Sequence, residues 1–246
     1  LEVEIRRLIA AAGPMPVAKF MSLCLTHPVH GYYVTRDPLG ISGDFITAPE
    51  VSQMFGELVG LWSAAVWKMM GSPENVRLIE LGPGRGTMMR DALRATNVAP
   101  AFRQAIVVHL VEISPALEKV QRETLAKSGV VTHWHRSLPE VPSGPAIILA
   151  NELIDAHPVH QMIRQGDGWH ERVITLNAAG DLVFGVSTHP VASFERVMPK
   201  QIRDAPAGSI YEWRPDNIAF EIARRVRDNG AALIIDYGHS ESDIGD

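Results

Sequence analysis

The chain contains a single cysteine, Cys24. One thiol excludes an intrachain disulfide framework and any zinc site built on clustered cysteines, and it fits a reducing compartment. No apolar run approaches the ~20 residues that a membrane-spanning helix needs. An excess of positive charge is also missing: 23 Lys and Arg stand against 28 Asp and Glu, a net charge of −5. That balance argues against strong general affinity for nucleic-acid backbone and leaves room only for a local basic patch. The first residues, Leu1 to Arg7, are charged and amphipathic, unlike a signal peptide. Because the chain starts at Leu1 rather than at methionine, its beginning is expected to be missing. Internal repeats and low-complexity tracts are absent. What remains is 246 residues, 46% of them apolar, enough for one large domain or one domain with an appendage around a sizeable core.

The most informative stretch runs from Val76 to Thr87. Val76 to Leu81 reads as a buried strand, Gly82-Pro83-Gly84-Arg85-Gly86 as a tight turn, and Met88 to Leu93 as a helix with Met89 and Leu93 on one face. Glycines in such a turn let a ligand approach the backbone, because no Cβ intervenes. The spacing is Glu-x-Gly-x-Gly-x-Gly. A dinucleotide fingerprint has its third glycine one place later, under a pyrophosphate, which disfavours a nicotinamide dehydrogenase. An acid two places before the first glycine, Glu80, suits an ammonium group. S-adenosylmethionine has a cationic amino-acid end, a ribose, an adenine and no phosphate. A second acid at the end of the next strand would hold the ribose hydroxyls, and Glu112 follows Ala105 to Val111 in that position. The competing interpretation is an ordinary glycine turn with Glu112 as a solvated loop acid.

The rest of the chain alternates strands and helices. Val3 to Ala12 and Val17 to Leu25 read as amphipathic helices, separated by Gly13-Pro14-Met15-Pro16. A glycine-rich loop, Gly40 to Glu50, holds Phe45 and Ile46 beside Asp44 and Thr47; it is either a binding loop or a surface connection with tucked apolar residues. Pro49-Glu50 opens the longest helical pattern, to Gly71, with a wide apolar face expected against the main sheet and with Trp62 and Trp67 as core. Ser114-Pro115 starts a helix that stops at Gly129. Val130 to Trp134, Ala146 to Ala150 and Ala231 to Asp236 are further strands, and Asp216 caps the helix before the last of them. Trp169 to Leu176 and Asp181 to Val186 form a β-hairpin around Asn177-Ala178-Ala179-Gly180. Val191-Ala192-Ser193 and Gly208 to Trp213 are additional strand pieces. His133 and His135 share a strand face but lack further ligands, so no metal is expected.

Five stretches together resemble one family. They are His30-Gly31-Tyr32-Tyr33; Gly43 to Glu50 with Phe55-Gly56-Glu57; Glu80 to Gly86; Asn151-Glu152-Leu153-Ile154-Asp155-Ala156-His157-Pro158; and Asp236-Tyr237-Gly238. Their combination resembles the MidA/NDUFAF-type family of S-adenosylmethionine-dependent class I methyltransferases, from about His30 to Gly238. His157 departs from the leucine that family members often carry. The resemblance implies an α/β fold: a Rossmann-like doubly wound sheet with an N-terminal helical segment (1–73, including a cofactor-covering loop) and a methyltransferase core (74–246). A β-hairpin insertion occupies about 157–214, and the C-terminal end of the core looks cut short.

The resemblance further implies a protein arginine acceptor, with complex I assembly as the role of mitochondrial members. A protein substrate, such as a respiratory complex I subunit, is therefore the expected partner, with no nucleic acid. The expected location is the cytoplasm for a bacterial-type protein or the mitochondrial matrix for a eukaryotic one. S-adenosylmethionine is the expected cofactor, held by Glu80, Gly82, Gly84, Gly86, Glu112 and Asn151. Ile113 and Leu138 would sandwich the adenine beside Ser137, and Asp44 and Thr47 would close over the pocket. Glu152 and Asp155 are the candidates to orient a guanidinium, if the stretch after Asn151 continues as a helix that places both on one face. Otherwise they are helix N-terminal charges. Two alternatives remain at this stage: a small-molecule methyltransferase, and a non-catalytic assembly factor that keeps the cofactor pocket.

Overall fold

The computed structural model describes residues 1–35, 44, 46–196, 198–214, 217–238 and 243–245. Residues 40–43 and Phe45 of the glycine-rich loop, and Asp216 as a helix cap, lie outside the described residues. The chain divides into two compact units. The first comprises Leu1–Gly31, His157–Pro215 and Gly238–Asp246; the second comprises Tyr32–Ala156 and Asp216–Tyr237.

In the first unit, α1 (Glu2–Ala12) places Glu2 and Glu4 in its first turn, where acids complement the helix dipole, and buries Ile5 and Ile9. The strand β1 (Met15–Pro16) leads into α2 (Val17–Thr26).

The second unit opens with α3 (Tyr32–Thr35) and α4 (Ala48–Val51). The single long helix expected from Pro49 is broken at Ser52. That residue is extended, and its hydroxyl accepts the Met54 N–H (3.3 Å), capping α5 (Gln53–Met69). The buried stripe of α5 is Gly56, Val59, Gly60 and Ser63. Glycines one turn apart let α5 press onto the next helix, and Phe55, Val59, Trp62, Val66 and Trp67 pack into the core on the sheet as expected, while Met54, Leu58 and Met69 stay at least 60% exposed. The core follows as β2 (Val76–Leu81), α6 (Thr87–Ala95), α7 (Pro100–Ala105), β3 (Ile106–Val111), α8 (Pro115–Leu125), β4 (Thr132–His135) and β5 (Ala146–Asn151). The short helix α7 replaces a stretch expected to be loop; Pro100 sits in its first turn, where the missing N–H costs nothing.

Next come β6 (His160–Gln165), β7 (Gly168–Leu176), β8 (Leu182–Val186), α9 (Lys200–Arg203) and β9 (Ile210–Trp213). These belong to the first unit and form an antiparallel sheet in the order β1-β7-β6-β9, with β8 paired to β7. The β7–β8 hairpin turns as expected: the Asn177 side-chain oxygen accepts the Ala179 and Asp181 N–H groups (2.9 and 2.8 Å), and Gly180 supplies a φ of 85°. Val191 to Ser193 form no strand; the Val191 N–H donates to Trp169 O, and the chain then turns. Trp169 is fully buried among Met162, Phe194, Met198 and Ile202.

The chain then returns to the second unit as α10 (Asn217–Val226) and β10 (Gly230–Ile235). The second unit's sheet has the order β10-β5-β2-β3-β4 and is parallel throughout. One face packs Val76, Leu78, Val108, Leu110, Ile147 and Leu149 against α5, α6 and α7. The other packs Ile79, Leu81, Ala146, Ile148 and Ala150 against Ile222 and Leu138. Burial on both faces explains why these strands read as continuous apolar runs. The strand order reverses between β2 and β5, and in open α/β sheets that switch point is where ligands settle, at the carboxyl ends of the strands.

Candidate functional site

Five strand ends meet at this edge in matched register. The Gly82 N–H donates to Val111 O, the Glu112 N–H to His135 O, and the Glu152 N–H to Ile235 O, at 2.8–3.0 Å. The residues just beyond β2, β3 and β5 are therefore held by the ladder itself.

After β2 the chain turns on Gly82, Gly84 and Gly86, whose φ angles are 59°, 54° and 79°. L side chains rarely adopt these values. A Cβ on Gly82 would also stand 2.6 Å from the Leu153 side chain. The turn is thus pressed against the segment that follows β5.

Beneath it, Glu80 is buried at the end of β2, and its Oε2 has no hydrogen-bond partner among the described residues. Burial, with the Glu112 carboxylate adding to it, pushes the Glu80 carboxyl up to about 8. A buried carboxyl oxygen left without a partner is costly, and a cation is its natural complement. Glu112, also buried, accepts the Ser114 N–H at Oε1 (2.8 Å) and the Gln121 amide at Oε2 (3.0 Å). Burial raises the Glu112 pKa, against the lowering effect of those bonds and of Arg136. A ligand with an ammonium group, two hydroxyls and no phosphate matches this donor-poor, acceptor-rich edge. The residues present therefore fit S-adenosylmethionine.

The remaining expected site residues distribute as follows. Ile113 is 46% exposed, while Leu138 is packed in the core with Leu81 and Ala150. The Ser137 hydroxyl donates to Glu140 (3.0 Å). Asp44 accepts the Tyr32 hydroxyl (2.5 Å), and Thr47 leads into α4. The α4 segment touches the site at two points: the Ala48 N–H donates to Glu152 Oε1 (3.4 Å), and Glu50 accepts the Thr87 hydroxyl at the start of α6 (2.6 Å). Asn151 donates to Glu152 (3.3 Å), and its own oxygen is buried without a partner among the described residues.

The stretch from Glu152 to Asp155 is not a helix. Glu152 adopts a φ of 47°, and the chain turns because Asp236 accepts the Ile154 and Asp155 N–H groups (2.7 and 3.2 Å). Helical placement of Glu152 and Asp155 on one face is therefore corrected: a carboxylate from the end of β10 outcompetes helix formation. Asp155 is exposed, and its charge adds to burial in raising the Tyr33 pKa.

His133 and His135 share a face with His109, whose Nδ1 lies 2.9 Å from His135 Nε2. Burial and the neighbouring imidazoles and arginines lower His109 to about 4. Among the described residues, no group of three or more His, Cys, Asp or Glu is arranged to hold a metal ion. An open cavity of about 370 Å³ lies along Arg122, Leu125, Thr132 and Trp134 and includes none of the motif residues.

Sequence reasoning missed Gln121 and Glu50. Gln121 had a readable signal: Leu117, Gln121 and Leu125 recur every four residues on the buried stripe of α8, so a polar group was committed to the interior. Glu50 gave none, since first-turn acids are common.

A parallel sheet with its switch point between β2 and β5, a left-handed glycine turn and acids ending two adjacent strands defines a Rossmann-like fold of the methyltransferase type. The chain belongs to the family described as "Putative S-adenosyl-L-methionine-dependent methyltransferase", whose profile matches residues 58–246. It is 40% identical, over 97% of its own length and 60% of the relative's, to "Protein arginine methyltransferase NDUFAF7 homolog, mitochondrial" of Drosophila melanogaster. The human protein arginine methyltransferase NDUFAF7, also described as mitochondrial, is 37% identical over 94% of the chain and 57% of the relative. A crystal structure described as a "likely methyl transferase from Burkholderia thailandensis bound to S-adenosyl-homocysteine" superimposes with a TM-score of 0.81. It shares 30% identity and covers 97% of this chain and 62% of that one. The chain thus spans about 60% of the length of the relatives it matches. Among the described residues, no helix is long and apolar enough to cross a membrane.

Proposed function

We propose that the protein carrying this chain is an S-adenosylmethionine-dependent methyltransferase acting on a protein arginine side chain, with a respiratory complex I subunit as the substrate. The observation that carries the cofactor assignment is the buried Glu80 carboxyl, whose Oε2 has no partner among the described residues, beside three left-handed glycines and with Glu112 following the neighbouring strand. The arginine acceptor is supported by relatives named as protein arginine methyltransferases. The mitochondrial matrix, for a eukaryotic protein, and the cytoplasm, for a bacterial one, are the compartments in which that substrate class would be met.

When bound, S-adenosylmethionine supplies an electrophilic methyl group on a sulfonium. This chain's residues do the positioning. Glu80 holds the ammonium, and Gly82, Gly84 and Gly86 admit the amino-acid end to the backbone. Glu112 takes the ribose hydroxyls, while Ile113, Ser137 and Leu138 border the adenine. Glu152 and Asp155 meet the acceptor guanidinium. A carboxylate there orients the group bidentately and draws charge away from the attacking nitrogen. The Glu152 and Asp155 carboxylates would take the proton that the acceptor nitrogen loses. In this reading Thr47 and Asp44 close over the pocket; the Ala48 N–H that follows Thr47 donates to Glu152, and Asp44 accepts the Tyr32 hydroxyl.

The direct test is calorimetric titration of S-adenosylmethionine into the full-length protein and its Glu112→Ala variant. Binding to the parent that drops at least about tenfold in the variant is the expected result. A well-folded parent that binds nothing would leave only a non-catalytic assembly factor.

A further inference from the structure

Gln121 is fully buried on α8, and its amide touches three parts of the site. Its Nε2 donates to Gly84 O (2.7 Å) in the glycine turn and to Glu112 Oε2 (3.0 Å). Its Oε1 accepts the Trp134 indole N–H (3.0 Å) from β4. Its stem lies under the third glycine: a Cβ on Gly86 would meet Gln121 carbons at 3.5–3.7 Å.

The orientation of this amide is chemically determined. An indole N–H can only donate, whereas a backbone carbonyl and a carboxylate can only accept. All three partners therefore demand the same arrangement, oxygen towards Trp134 and nitrogen towards Gly84 and Glu112. A flipped amide would face donor to donor once and acceptor to acceptor twice. Both Nε2 protons are used, so one rigid group fixes the distance between the glycine turn and the Glu112 carboxylate.

We infer that Gln121 is a positioning residue for the cofactor's ribose, locking the Glu112 carboxylate to the glycine turn so that its free lone pairs face the two hydroxyls. This rests on the reading of Glu112 as the ribose ligand. Gln121 acts twice on Glu112. It fixes the rotamer, and by donating to the charged form it opposes the burial that raises the Glu112 pKa. A neutral Glu112 would spend one oxygen as a donor, and the pair of hydroxyls would lose an acceptor.

The test measures calorimetric affinities of the full-length protein for S-adenosylhomocysteine and for its 2′,3′-dideoxy analogue. In the parent, removing the hydroxyls should cost about tenfold or more in affinity. Gln121→Met keeps the stem and removes the amide. It should weaken S-adenosylhomocysteine by a similar factor and leave the dideoxy analogue within about twofold of the parent, so discrimination between the ligands collapses. The acid limb of S-adenosylhomocysteine binding should also move to higher pH. Equal weakening of both ligands would mean a merely structural residue and overturn the inference. Should Gln121→Met fail to fold, Trp134→Phe removes the donor that orients the amide, together with part of the ring under Arg122; a selective loss for the hydroxylated ligand supports the inference, and unchanged discrimination overturns it. Glu112→Ala separates the two readings. If it leaves discrimination intact, the ribose role of Glu112 falls and this inference with it. If it abolishes discrimination while Gln121→Met does not, the inference alone falls.

Discussion

Glu80 and Glu112 end neighbouring parallel strands, and the charge of Glu112 adds to burial in holding the Glu80 carboxyl up to about 8. A protonated Glu80 cannot neutralise an ammonium, so cation binding must expel its proton. Below about pH 8, affinity for S-adenosylhomocysteine should rise with pH, by at most about tenfold per unit. At still higher pH the ligand's own α-amino group loses its charge and affinity declines. 5′-Methylthioadenosine has the ribose and adenine but no ammonium, and its affinity should be far flatter. Calorimetry in buffers of different ionisation enthalpy should register proton release at pH 6.5–7 for the first ligand only. Parallel pH profiles for the two ligands would refute the assignment of Glu80.

The same carboxyl has a stability consequence. Its folded pKa, about 8, lies above the unfolded value of 4.5. Its favourable contribution is therefore complete below pH 4.5 and is lost as pH rises towards 8. Glu80→Gln, which cannot ionise, should gain stability relative to the parent across that window, by roughly a few kcal/mol at its upper end. At pH 5 the two should differ little. The variant should at the same time bind S-adenosylmethionine more weakly. Urea midpoints measured at pH 5 and pH 8 without ligand check the first point; a constant difference across pH would contradict it.

Gly60 of α5 faces the backbone of α6 closely enough that a Cβ would stand 2.7 Å from Ala92 Cα. Backbone cannot swing aside as a side-chain end can. Gly60→Ala should destabilise the protein by about 1–3 kcal/mol through overpacking, even though alanine is the better helix former. Gly71 has open space around it, but its φ of 87° makes it a poor neutral control. The better comparison is Ala65→Gly on the exposed face of the same helix, expected to cost about 1 kcal/mol or less. Denaturant midpoints of the two variants decide the point, and a neutral Gly60→Ala would refute the close crossing.

The parallel sheet and the glycine turn were legible because their signals are local. Strands buried on both faces read as unbroken apolar runs, and a glycine turn between strand and helix has few other uses. Glu112 was legible from its place one residue past β3. Other features depend on partners distant in sequence. Ser52 breaks a helical pattern by capping, which competes with continuation in a way periodicity does not register. The strand β6 has weak alternation and is defined by its neighbours β7 and β9. Glu152 was picked out correctly as lying at the sheet edge, but its left-handed backbone follows from Asp236, 84 residues later, holding the next two amides. Gln121 looked like an ordinary helical residue until its place on an otherwise apolar stripe was considered.

Glu152 supplies the last test. A glutamate with a φ of 47° carries backbone strain, of order 1–3 kcal/mol for such regions, that glycine would not. The carboxylate's bonds to Ala48 and Asn151, at 3.4 and 3.3 Å, are too long to offset much of it. Strain kept at a strand end beside the glycine turn is the pattern of a side chain retained for the ligand rather than for the fold. Glu152→Gly should therefore leave stability equal or higher by up to about 1 kcal/mol. Glu152→Gln, which keeps the side chain and the strain, should not gain. S-adenosylhomocysteine affinity should change less than about threefold in both, while methyl transfer to an arginine acceptor by the full-length protein should fall at least about a hundredfold, as expected when a charged positioning group is lost. Chemical denaturation, calorimetry and transfer of a labelled methyl group read the three quantities separately. A Glu152→Gly variant that is clearly destabilised yet still transfers methyl would show the residue to be structural.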